Sequence, residues 1–328
     1  MTTILVGIYS EFPAWNVPAE RVAWLRDAFP GYRFVHVRSH AEALDHIANA
    51  DIAFMSELRP AHLAAATRLK WVHSPAAGVG GMLFAEMIDH PVVITNSRGI
   101  SAETIAEHVL AVTLALFRKL PLAFHSQTAR RWAQNDVLSG APIRTLAGAR
   151  ALVVGLGSIG MATARRLAAL GALVDAVRRH PDRPSDGGLE RVLPPDRLPD
   201  LLPSADVVVL AAPQTPSTRG LIGATELAAM SAQSILVNVS RGKLVDERAL
   251  ADALISNRIG GAALDVFEHE PLDPDSPLWA LPHVLITPHM AGFRPDHWEA
   301  VTALFADNLR RFESGQPLRN VVNKKEGY

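Results

Sequence analysis

The chain has 328 residues, 48% of them hydrophobic and 20% charged, with a formal net charge of −1 at pH 7. This length and composition predict a soluble globular protein of two domains, and the charge gives no indication of a nucleic acid or an anionic membrane as partner. The absence of cysteine excludes disulfides, thiolate nucleophiles and cysteine-ligated zinc, and no other metal site is indicated. Because the sequence shows neither a signal peptide nor an apolar run of roughly 18 residues, we expect a cytoplasmic protein without membrane segments.

The first hundred residues alternate between strand-like and helix-like patterns. Buried strands are predicted at 4–8, 33–37, 51–55, 71–73 and 92–95, and helices at 19–29, 40–48 and 61–69. This alternation is typical of βαβ units and a parallel sheet. A loop of small residues follows the fourth strand at 76–81. It either points backbone N–H groups at an anion or forms a flexible turn, and the sequence leaves both interpretations open.

A long helix is predicted near 102–118. Its apolar residues define one buried face: Ile105, Val109, Val112 and Leu116. Residues 121–147 show only weak patterning, which predicts a surface loop region, with a substrate or subunit contact as the alternative. This stretch includes Trp132, which follows two arginines.

The α/β alternation resumes at residue 149. Strands are predicted at 151–154, 173–177, 206–210, 235–239, 262–265 and 284–287, and helices at 159–170, 196–202, 224–229, 246–257 and 296–313. We therefore predict two Rossmann-like or flavodoxin-like α/β domains with parallel sheets and a cleft between them. Residues 1–100 with 293–328 would form a substrate-binding (catalytic) domain, and residues 101–292 a dinucleotide-binding Rossmann domain.

A glycine-rich turn joins the strand at 151–154 to the helix at 159–170. Its glycines, Gly155, Gly157 and Gly160, have the spacing G-x-G-x-x-G. The first glycine permits a tight turn, the second lets the backbone approach a pyrophosphate, and the third lets the helix pack close to the strand. Because a helix N-terminus presents N–H groups and a positive dipole end, this turn predicts a site for a dinucleotide.

The strand at 173–177 ends where the ribose of the cofactor is expected. An acidic residue there accepts hydrogen bonds from the 2′-OH of NAD(H), whereas arginines bind the 2′-phosphate of NADP(H). Asp175 lies in the middle of the strand and would not reach the ribose, whereas Arg178 and Arg179 lie at its tip. Since guanidinium groups pair bidentately with phosphate, we predict NADP(H). NAD(H) is the alternative if the arginine pair is merely solvated.

Three side chains at the ends of predicted strands could carry out chemistry: Arg241, Glu270 and His289. Ligands of open α/β sheets bind at these carboxyl ends. An arginine can bind a carboxylate and polarise a carbonyl, and a carboxylate beside a histidine favours the imidazolium, which can donate a proton. Spacing alone does not distinguish this trio from chance placements of acids and histidines in loops.

A series of motifs extends over nearly the whole chain. The motifs occupy residues 77–79, 96–108, 154–160, 238–242, 263–272 and 288–292. In this order they resemble the D-isomer-specific 2-hydroxyacid dehydrogenase family, which includes glyoxylate/hydroxypyruvate reductases and D-lactate, phosphoglycerate and formate dehydrogenases. The resemblance implies a reductase, similar to the NADP-dependent glyoxylate/hydroxypyruvate reductases, that converts a small 2-keto acid to the D-2-hydroxy acid. It also implies a homodimer formed through the helix near 102–118.

The same resemblance implies a role for each candidate site residue. Arg241 would bind the carboxylate and carbonyl of the substrate, and His289 would be the acid/base, assisted by Glu270. Backbone N–H groups of a loop in the other domain would hold the substrate carboxylate, at Gly78, Val79 and Gly80. Asp265 would contact the nicotinamide carboxamide, and the other implied cofactor residues are Gly155, Gly157, Ser158, Ile159, Gly160, Arg178, Arg179, Ala212, Pro213, Val239, Ser240 and Gly292.

The chain also departs from the family pattern. Arg178 replaces the usual acid after the second strand, which supports NADP(H) and argues against NAD(H). Gly80 replaces a common Asp, so the substrate pocket would be roomier or more mobile. Phe293 stands where Thr or Ser is frequent, with an effect on substrate choice that the resemblance does not define. In similar reductases an aromatic residue near Trp132 reaches the active site of the partner subunit.

Rival functions come from other classes of protein. Relatives on the same fold act as nucleotide-sensing corepressors with little turnover, and a sensor could keep all three catalytic candidates, so only turnover of a 2-keto acid separates the two. Short-chain dehydrogenases need Tyr-x-x-x-Lys, which none of the tyrosines provides. Zinc alcohol dehydrogenases usually need cysteine ligands, and this chain has none.

Overall fold

The computed structural model describes residues 1–185 and 188–328. These residues form two compact units. The first unit is Met1–Ile100 together with Arg294–Tyr328, and the second is Ser101–Phe293.

The helices and strands follow one another in the alternation that the sequence predicts. The first unit contains β1 (Thr2–Gly7), α1 (Ala19–Ala28), β2 (Tyr32–His36), α2 (His40–Ile47), β3 (Ile52–Met55), α3 (Pro60–Ala65), β4 (Trp71–Ser74), α4 (Ala85–Ile88) and β5 (Val93–Asn96). The second contains α5 (Ala102–Phe117), α6 (Leu120–Thr128), α7 (Gln134–Leu138), β6 (Arg150–Val154), α8 (Ser158–Ala169), β7 (Leu173–Val177), β8 (Leu189–Leu193), α9 (Leu198–Leu201), β9 (Val207–Leu210), α10 (Ala224–Ala229), β10 (Ile235–Asn238), α11 (Glu247–Ile255), β11 (Gly261–Leu264) and β12 (Val284–Ile286). The chain then returns to the first unit in α12 (His297–Glu313). Short 3₁₀ helices occur at Pro13–Trp15, Gly80–Met82, Pro195–Arg197, Leu202–Ser204, Gly242–Leu244 and Pro277–Ala280.

Each unit is built on one parallel sheet. The strand order is β2-β1-β3-β4-β5 in the first unit and β12-β11-β10-β9-β6-β7-β8 in the second. Side chains of one strand alternate between two apolar cores, so that Val153 of β6 packs in one core and Val154 in the other. Sheets buried on both faces are typical of doubly wound proteins. The orders confirm the predicted fold class of two α/β domains with parallel sheets.

The core of the first unit is completed by the last helix of the chain. Phe305 of α12 stacks on Phe54, with ring centroids 4.3 Å apart, and on Trp71, with centroids 5.3 Å apart. All three rings are fully buried. Aromatic burial of this extent is among the larger apolar contributions to a domain core, which explains why α12 belongs to the first unit.

One prediction for the second unit was wrong, and one strand was missed. The supposed loop region at 121–147 contains α6 and α7, whose apolar residues include the exposed Phe124 and Leu138 and therefore form no single buried stripe. The strand β8 was not predicted, because it is an edge strand with exposed charged residues at Glu190 and Arg191 and lacks a continuous apolar run. Both errors arise where tertiary contacts rather than local pattern determine the structure.

Among the described residues, no single helix combines the length and the apolarity needed to cross a membrane. The consecutive helices α5 and α6 pass that test only as a pair, and they are bent by 72° relative to each other.

A buried histidine in β4 gives the first unit a sensitivity to acid. His73 has no exposed surface, and its Nδ1 lies 2.6 Å from Oγ1 of Thr95, which also accepts a hydrogen bond of 2.8 Å from Trp71 Nε1. Burial lowers the pKa of His73 from 6.5 to about 3. The folded protein therefore holds this imidazole neutral over a range in which the unfolded chain is protonated.

We expect protonation of His73 in the unfolded chain to destabilise the protein in acid. The contribution to folding is fully present above about pH 6.5 and is lost as the pH falls towards about 3, because the unfolded state binds the proton first. In denaturant titrations over this range, the free energy of unfolding should fall with pH more steeply in the wild type than in His73→Gln. The difference should approach ~1.4 kcal/mol per pH unit, the value for one proton. Equal slopes would contradict the prediction.

Candidate active site

The glycine-rich turn between β6 and α8 has the geometry that the sequence predicts. Gly155 has a φ of +96°, and a Cβ there would lie 2.4 Å from the backbone N of Ala212. A Cβ on Gly160 would lie 1.9 Å from the carbonyl oxygen of Gly155. A Cβ on Gly157, in contrast, would meet no atom within 4 Å. The turn is thus closed towards the protein and open on the side where Ser158 begins α8.

Two types of residue near the end of β7 could select the cofactor, an acid within the strand and arginines after it. Asp175 is buried, and its carboxylate accepts hydrogen bonds from Arg150 (3.1 Å) and Arg191 (2.8 and 2.9 Å). Burial opposes ionisation of Asp175, but these arginines hold its pKa below the usual range. Because its carboxylate is bound within the sheet, Asp175 serves the structure of β6, β7 and β8, as its position in mid-strand predicts.

Arg178 follows β7 directly and is half-buried. One guanidinium nitrogen donates to the carbonyl of Pro181 at 3.2 Å, whereas its Nε is buried without a hydrogen-bond partner among the residues that the structure describes. Arg179 beside it is exposed. A buried donor without a partner costs about 1–3 kcal/mol, so an anion at this position would stabilise it.

The remaining predicted cofactor residues lie at the same carboxyl edge of the second sheet. Ile159 lies in the first turn of α8, and the others follow β9, β10, β11 and β12: Ala212, Pro213, Val239, Ser240, Asp265 and Gly292. The hydroxyl of Ser240 donates to the carbonyl of Ala212, which ties the end of β10 to the end of β9. These positions share one edge because every strand of the sheet is parallel.

Arg241 stands just after β10, held by an unusually close backbone contact. A Cβ on the next residue, Gly242, would lie 1.8 Å from the carbonyl carbon of Phe267, so only glycine fits there. The Arg241 guanidinium donates to the carbonyl of Ser240 at 2.6 Å. Burial lowers the pKa of Arg241, and the charge of Glu270 opposes this shift. The chain thus places a largely desolvated guanidinium in the electrostatic field of Glu270.

His289 and Glu270, which the sequence analysis places together, form a hydrogen-bonded pair. Nδ1 of His289 lies 2.7 Å from Oε2 of Glu270, and the side chains are 42% and 36% exposed. The other carboxylate oxygen, Oε1, accepts a 3.0 Å hydrogen bond from the backbone N–H of Phe267. Burial raises the pKa of Glu270, but the hydrogen bonds from His289 and Phe267 and the charge of Arg241 lower it by more. The net shift is downward. An ionised Glu270 places the proton of the imidazole on Nδ1.

Asp265, after β11, organises the segment that carries His289. Its Oδ1 accepts from the Thr287 hydroxyl (2.6 Å) and from the Met290 N–H (2.9 Å), and its Oδ2 accepts from the Ala291 N–H (3.0 Å). The carboxylate is buried, and three of its roughly four acceptor positions are used. One position on Oδ2 therefore has no donor among the described residues, and the resemblance implies a nicotinamide contact there.

Two residues of this network, Thr287 and His108, have no role predicted from the sequence. Thr287 directly follows β12, two residues before His289, and its hydroxyl oxygen also lies 3.2 Å from Nε2 of His108 on α5. His108 belongs to a motif that supports the family resemblance, yet it received no role. No local pattern could have paired residues so far apart in the chain.

The small-residue loop of the first unit follows β4. Val79 is buried in the core of that unit, whereas Gly78 and Gly80 are exposed. The carbonyl of Ala77 accepts a 2.6 Å hydrogen bond from the Asn96 side chain, which fixes the start of the loop. A Cβ on Gly80 would meet nothing within 4 Å, so packing does not require glycine there.

Trp132 and Phe293 remain without an assigned role. Trp132 is 90% exposed and borders a groove of about 670 Å³ formed by α6, α7 and the residues between them. The backbone N–H of Phe293 donates to the carbonyl of Met290 at 3.0 Å, in the turn after His289.

Comparison with known proteins places this site in a family. A family model described as D-isomer specific 2-hydroxyacid dehydrogenase, NAD binding domain, matches residues 110–291. The glyoxylate reductase of Korarchaeum cryptofilum is 35% identical over 269 residues, 80% of this chain and 78% of that one. Several D-3-phosphoglycerate dehydrogenases also match, among them that of Archaeoglobus fulgidus at 34% identity, but this chain spans only about half of their length, 48% in that case.

Solved structures resemble the chain over its whole length. The NADPH-dependent glyoxylate/hydroxypyruvate reductase of Sinorhizobium meliloti, solved with NADP and sulfate, has a TM-score of 0.83 at 28% identity and covers 100% of both chains. A D-isomer specific 2-hydroxyacid dehydrogenase from Xanthobacter autotrophicus, solved with NADPH and MES, has a TM-score of 0.82 at 32% identity and covers 100% of this chain and 99% of that one. The chain belongs to the D-isomer-specific 2-hydroxyacid dehydrogenase family, as its motifs predict.

Proposed function

We propose that the protein reduces a small 2-keto acid, such as glyoxylate or hydroxypyruvate, to the D-2-hydroxy acid with NADPH. The observation that carries this proposal is the 2.7 Å pair of His289 and Glu270, in the same unit as the largely desolvated Arg241 at the carboxyl edge of a Rossmann sheet. A proton donor and a fixed cation are the groups that hydride addition to a keto acid requires. Similarity to glyoxylate and glyoxylate/hydroxypyruvate reductases supports the substrate class.

His289 would supply the proton of the reaction. Glu270 would accept a hydrogen bond from Nδ1–H of His289 and stabilise the imidazolium, so that Nε2 can protonate the substrate carbonyl oxygen as it gains charge. In the oxidative direction the same nitrogen would take the proton back. The nicotinamide cofactor, when bound, supplies the hydride.

Substrate binding would depend on Arg241 and on the loop of the first unit. A desolvated guanidinium binds carboxylate strongly, because water competes less for either charge. We propose backbone N–H groups at Gly78, Val79 and Gly80 as further donors to a substrate carboxylate. In this proposal residues 1–100 with 293–328 bind the substrate, and residues 101–292 bind the dinucleotide.

The residues of the second unit fit a phosphorylated dinucleotide. The N–H groups at the open face of Gly157 and at the N-terminus of α8 would bind the pyrophosphate. The buried Nε of Arg178, which has no hydrogen-bond partner among the described residues, would donate to the 2′-phosphate, with Arg179 beside it. Asp175 is unavailable to a ribose hydroxyl because Arg150 and Arg191 bind its carboxylate. These contacts favour NADP(H) over NAD(H).

Arg178→Asp should therefore shift cofactor preference towards NADH. We expect the ratio of kcat/KM for NADPH to that for NADH to fall by more than about tenfold, equivalent to ~1.4 kcal/mol, because a carboxylate repels the 2′-phosphate and accepts from a 2′-OH. The matched control is Arg248→Asp, an exposed arginine on α11. A ratio that moves equally in both variants would contradict the assignment.

We also propose a homodimer formed through the helix near 102–118, which is α5, with α6 and α7 extending the contact. Its support is the exposure of large apolar side chains on α6 and near α7, at 59% for Phe124, 90% for Trp132 and 62% for Leu138. Exposed apolar residues beside a groove are common at subunit contacts. Sedimentation of the wild type against Trp132→Ser and Phe124→Ser variants tests this proposal.

The decisive experiment is oxidation of NADPH and of NADH, side by side, with glyoxylate, hydroxypyruvate, pyruvate and phenylpyruvate. The proposal predicts turnover that is faster with NADPH, and the best substrate defines the pocket. Nicotinamide binding without turnover of any of the four would overturn the proposal and favour a nucleotide-sensing protein.

A further inference from the structure

The segment that carries His289 is held on both sides by one buried residue, Asp265. The carboxylate of Asp265 accepts from Thr287 before the histidine and from Met290 and Ala291 after it. Its backbone carbonyl also accepts a 2.9 Å hydrogen bond from the N–H of His289 itself. The position of the imidazole therefore depends on how firmly Asp265 is bound to this segment.

His289 needs such support because its backbone is strained. Its φ is +50°, in the left-handed region that costs a non-glycine residue about 1–2 kcal/mol. Strain of this kind persists only where surrounding contacts impose it. The four hydrogen bonds to Asp265 are contacts of this type, and they direct the ring towards Glu270.

The assignment of donors and acceptors extends this network to His108 on helix α5. The carboxylate of Asp265 only accepts, so the single hydroxyl proton of Thr287 is donated to Oδ1 at 2.6 Å. Oγ1 of Thr287 can then only accept from Nε2 of His108, which lies 3.2 Å away. His108 must therefore carry a proton on Nε2, and the chain of donors runs from His108 through Thr287 to Asp265.

We propose that His108 and Thr287 are positioning residues for His289: by donating along this chain they orient the Asp265 carboxylate, which imposes the strained backbone of the catalytic histidine. This inference rests on the proposed function, since it takes His289 as the acid/base. Burial lowers the pKa of His108, with Asp265 opposing the shift, which is consistent with a neutral ring that keeps its proton on Nε2. Neither residue is assigned contact with substrate or cofactor.

Matched substitutions at Thr287 test the proposal. Thr287→Ser keeps the hydroxyl, whereas Thr287→Val keeps the shape and removes it. We expect kcat to fall at least about tenfold in Thr287→Val and to stay within about threefold of wild type in Thr287→Ser, with KM for NADPH unchanged in both, since small misplacements of catalytic groups reduce turnover strongly. His108→Gln, which can still donate, and His108→Leu, which cannot, form a second pair for which we expect the same contrast.

Amide hydrogen exchange at Met290 and Ala291, followed by NMR, gives a readout that does not depend on activity. Exchange at both amides should be faster in Thr287→Val than in Thr287→Ser, because Asp265 is then held less firmly. Equal exchange or equal kcat in the two variants, with His289→Gln inactive, would overturn the positioning role and leave the proposed function intact. Full activity of His289→Gln would instead overturn the proposed function itself.

Discussion

Replacement of His289 by glutamine should lower kcat by about 10²–10⁴-fold, the usual contribution of a general acid/base. Glutamine can still donate a hydrogen bond to Glu270, but it carries no proton that it can transfer at neutral pH. The fold and the nucleotide site do not depend on the imidazole, so the Kd for NADPH should stay within about threefold of the wild-type value. Steady-state rates and fluorescence titration of NADPH measure the two quantities separately.

The control for this variant is His46→Gln, an exposed histidine on α2 whose loss should leave kcat unchanged. Glu270→Gln provides a second comparison, because it keeps a hydrogen-bond acceptor for Nδ1 and removes the charge that stabilises the imidazolium. We expect it to be slower than the wild type and faster than His289→Gln. Comparable rates for His289→Gln and His46→Gln would rule out His289 as the acid.

The second large effect is expected at Arg241. Arg241→Gln should reduce kcat/KM for a 2-keto acid by about 10²–10³-fold, because loss of one partner of a desolvated charge pair costs about 2–5 kcal/mol. Arg241→Lys keeps the charge but loses the bidentate geometry, so an intermediate loss is expected. Initial rates at substrate concentrations well below KM measure the effect.

The same variant has a consequence for the neighbouring acid. Since the charge of Arg241 is one of the causes that lower the pKa of Glu270, its removal should raise that pKa. The pH profile of the residual activity of Arg241→Gln, compared with that of an Arg248→Gln control on α11, reports this shift. An unchanged kcat/KM in Arg241→Gln would contradict the binding role, whatever the pH profile shows.

Local pattern predicted those parts of the fold that depend on local chemistry. The glycine spacing of the turn at Gly155, Gly157 and Gly160 and every strand of the two sheets except β8 follow from local pattern, whereas the backbone that closes Gly155 belongs to the distant Ala212. Position within a strand was enough to separate Asp175, which serves the sheet, from Arg178 at its tip. The roles of the site residues stay predictions until the variants are measured.

The rest could not be predicted, because it depends on residues distant in the chain. Thr287 and His108 are 179 residues apart, and neither belongs to a spacing pattern that would indicate their contact. β8 is stabilised by Arg191 binding to Asp175 across the sheet edge rather than by an apolar run of its own. Likewise α6 lacks the single apolar stripe by which a helix is recognised.

Because α12 completes the core of the first unit, the order of synthesis determines when that core can form. The ribosome produces β1–β5 first, yet Phe305, which stacks on Phe54 and Trp71, emerges only after the whole second unit has been made. The nascent first unit therefore exposes an apolar surface while the second unit, continuous in sequence, already has all its residues. The unit that begins the chain is the last to acquire its complete core, and we expect the nascent chain to be most prone to aggregation during that interval.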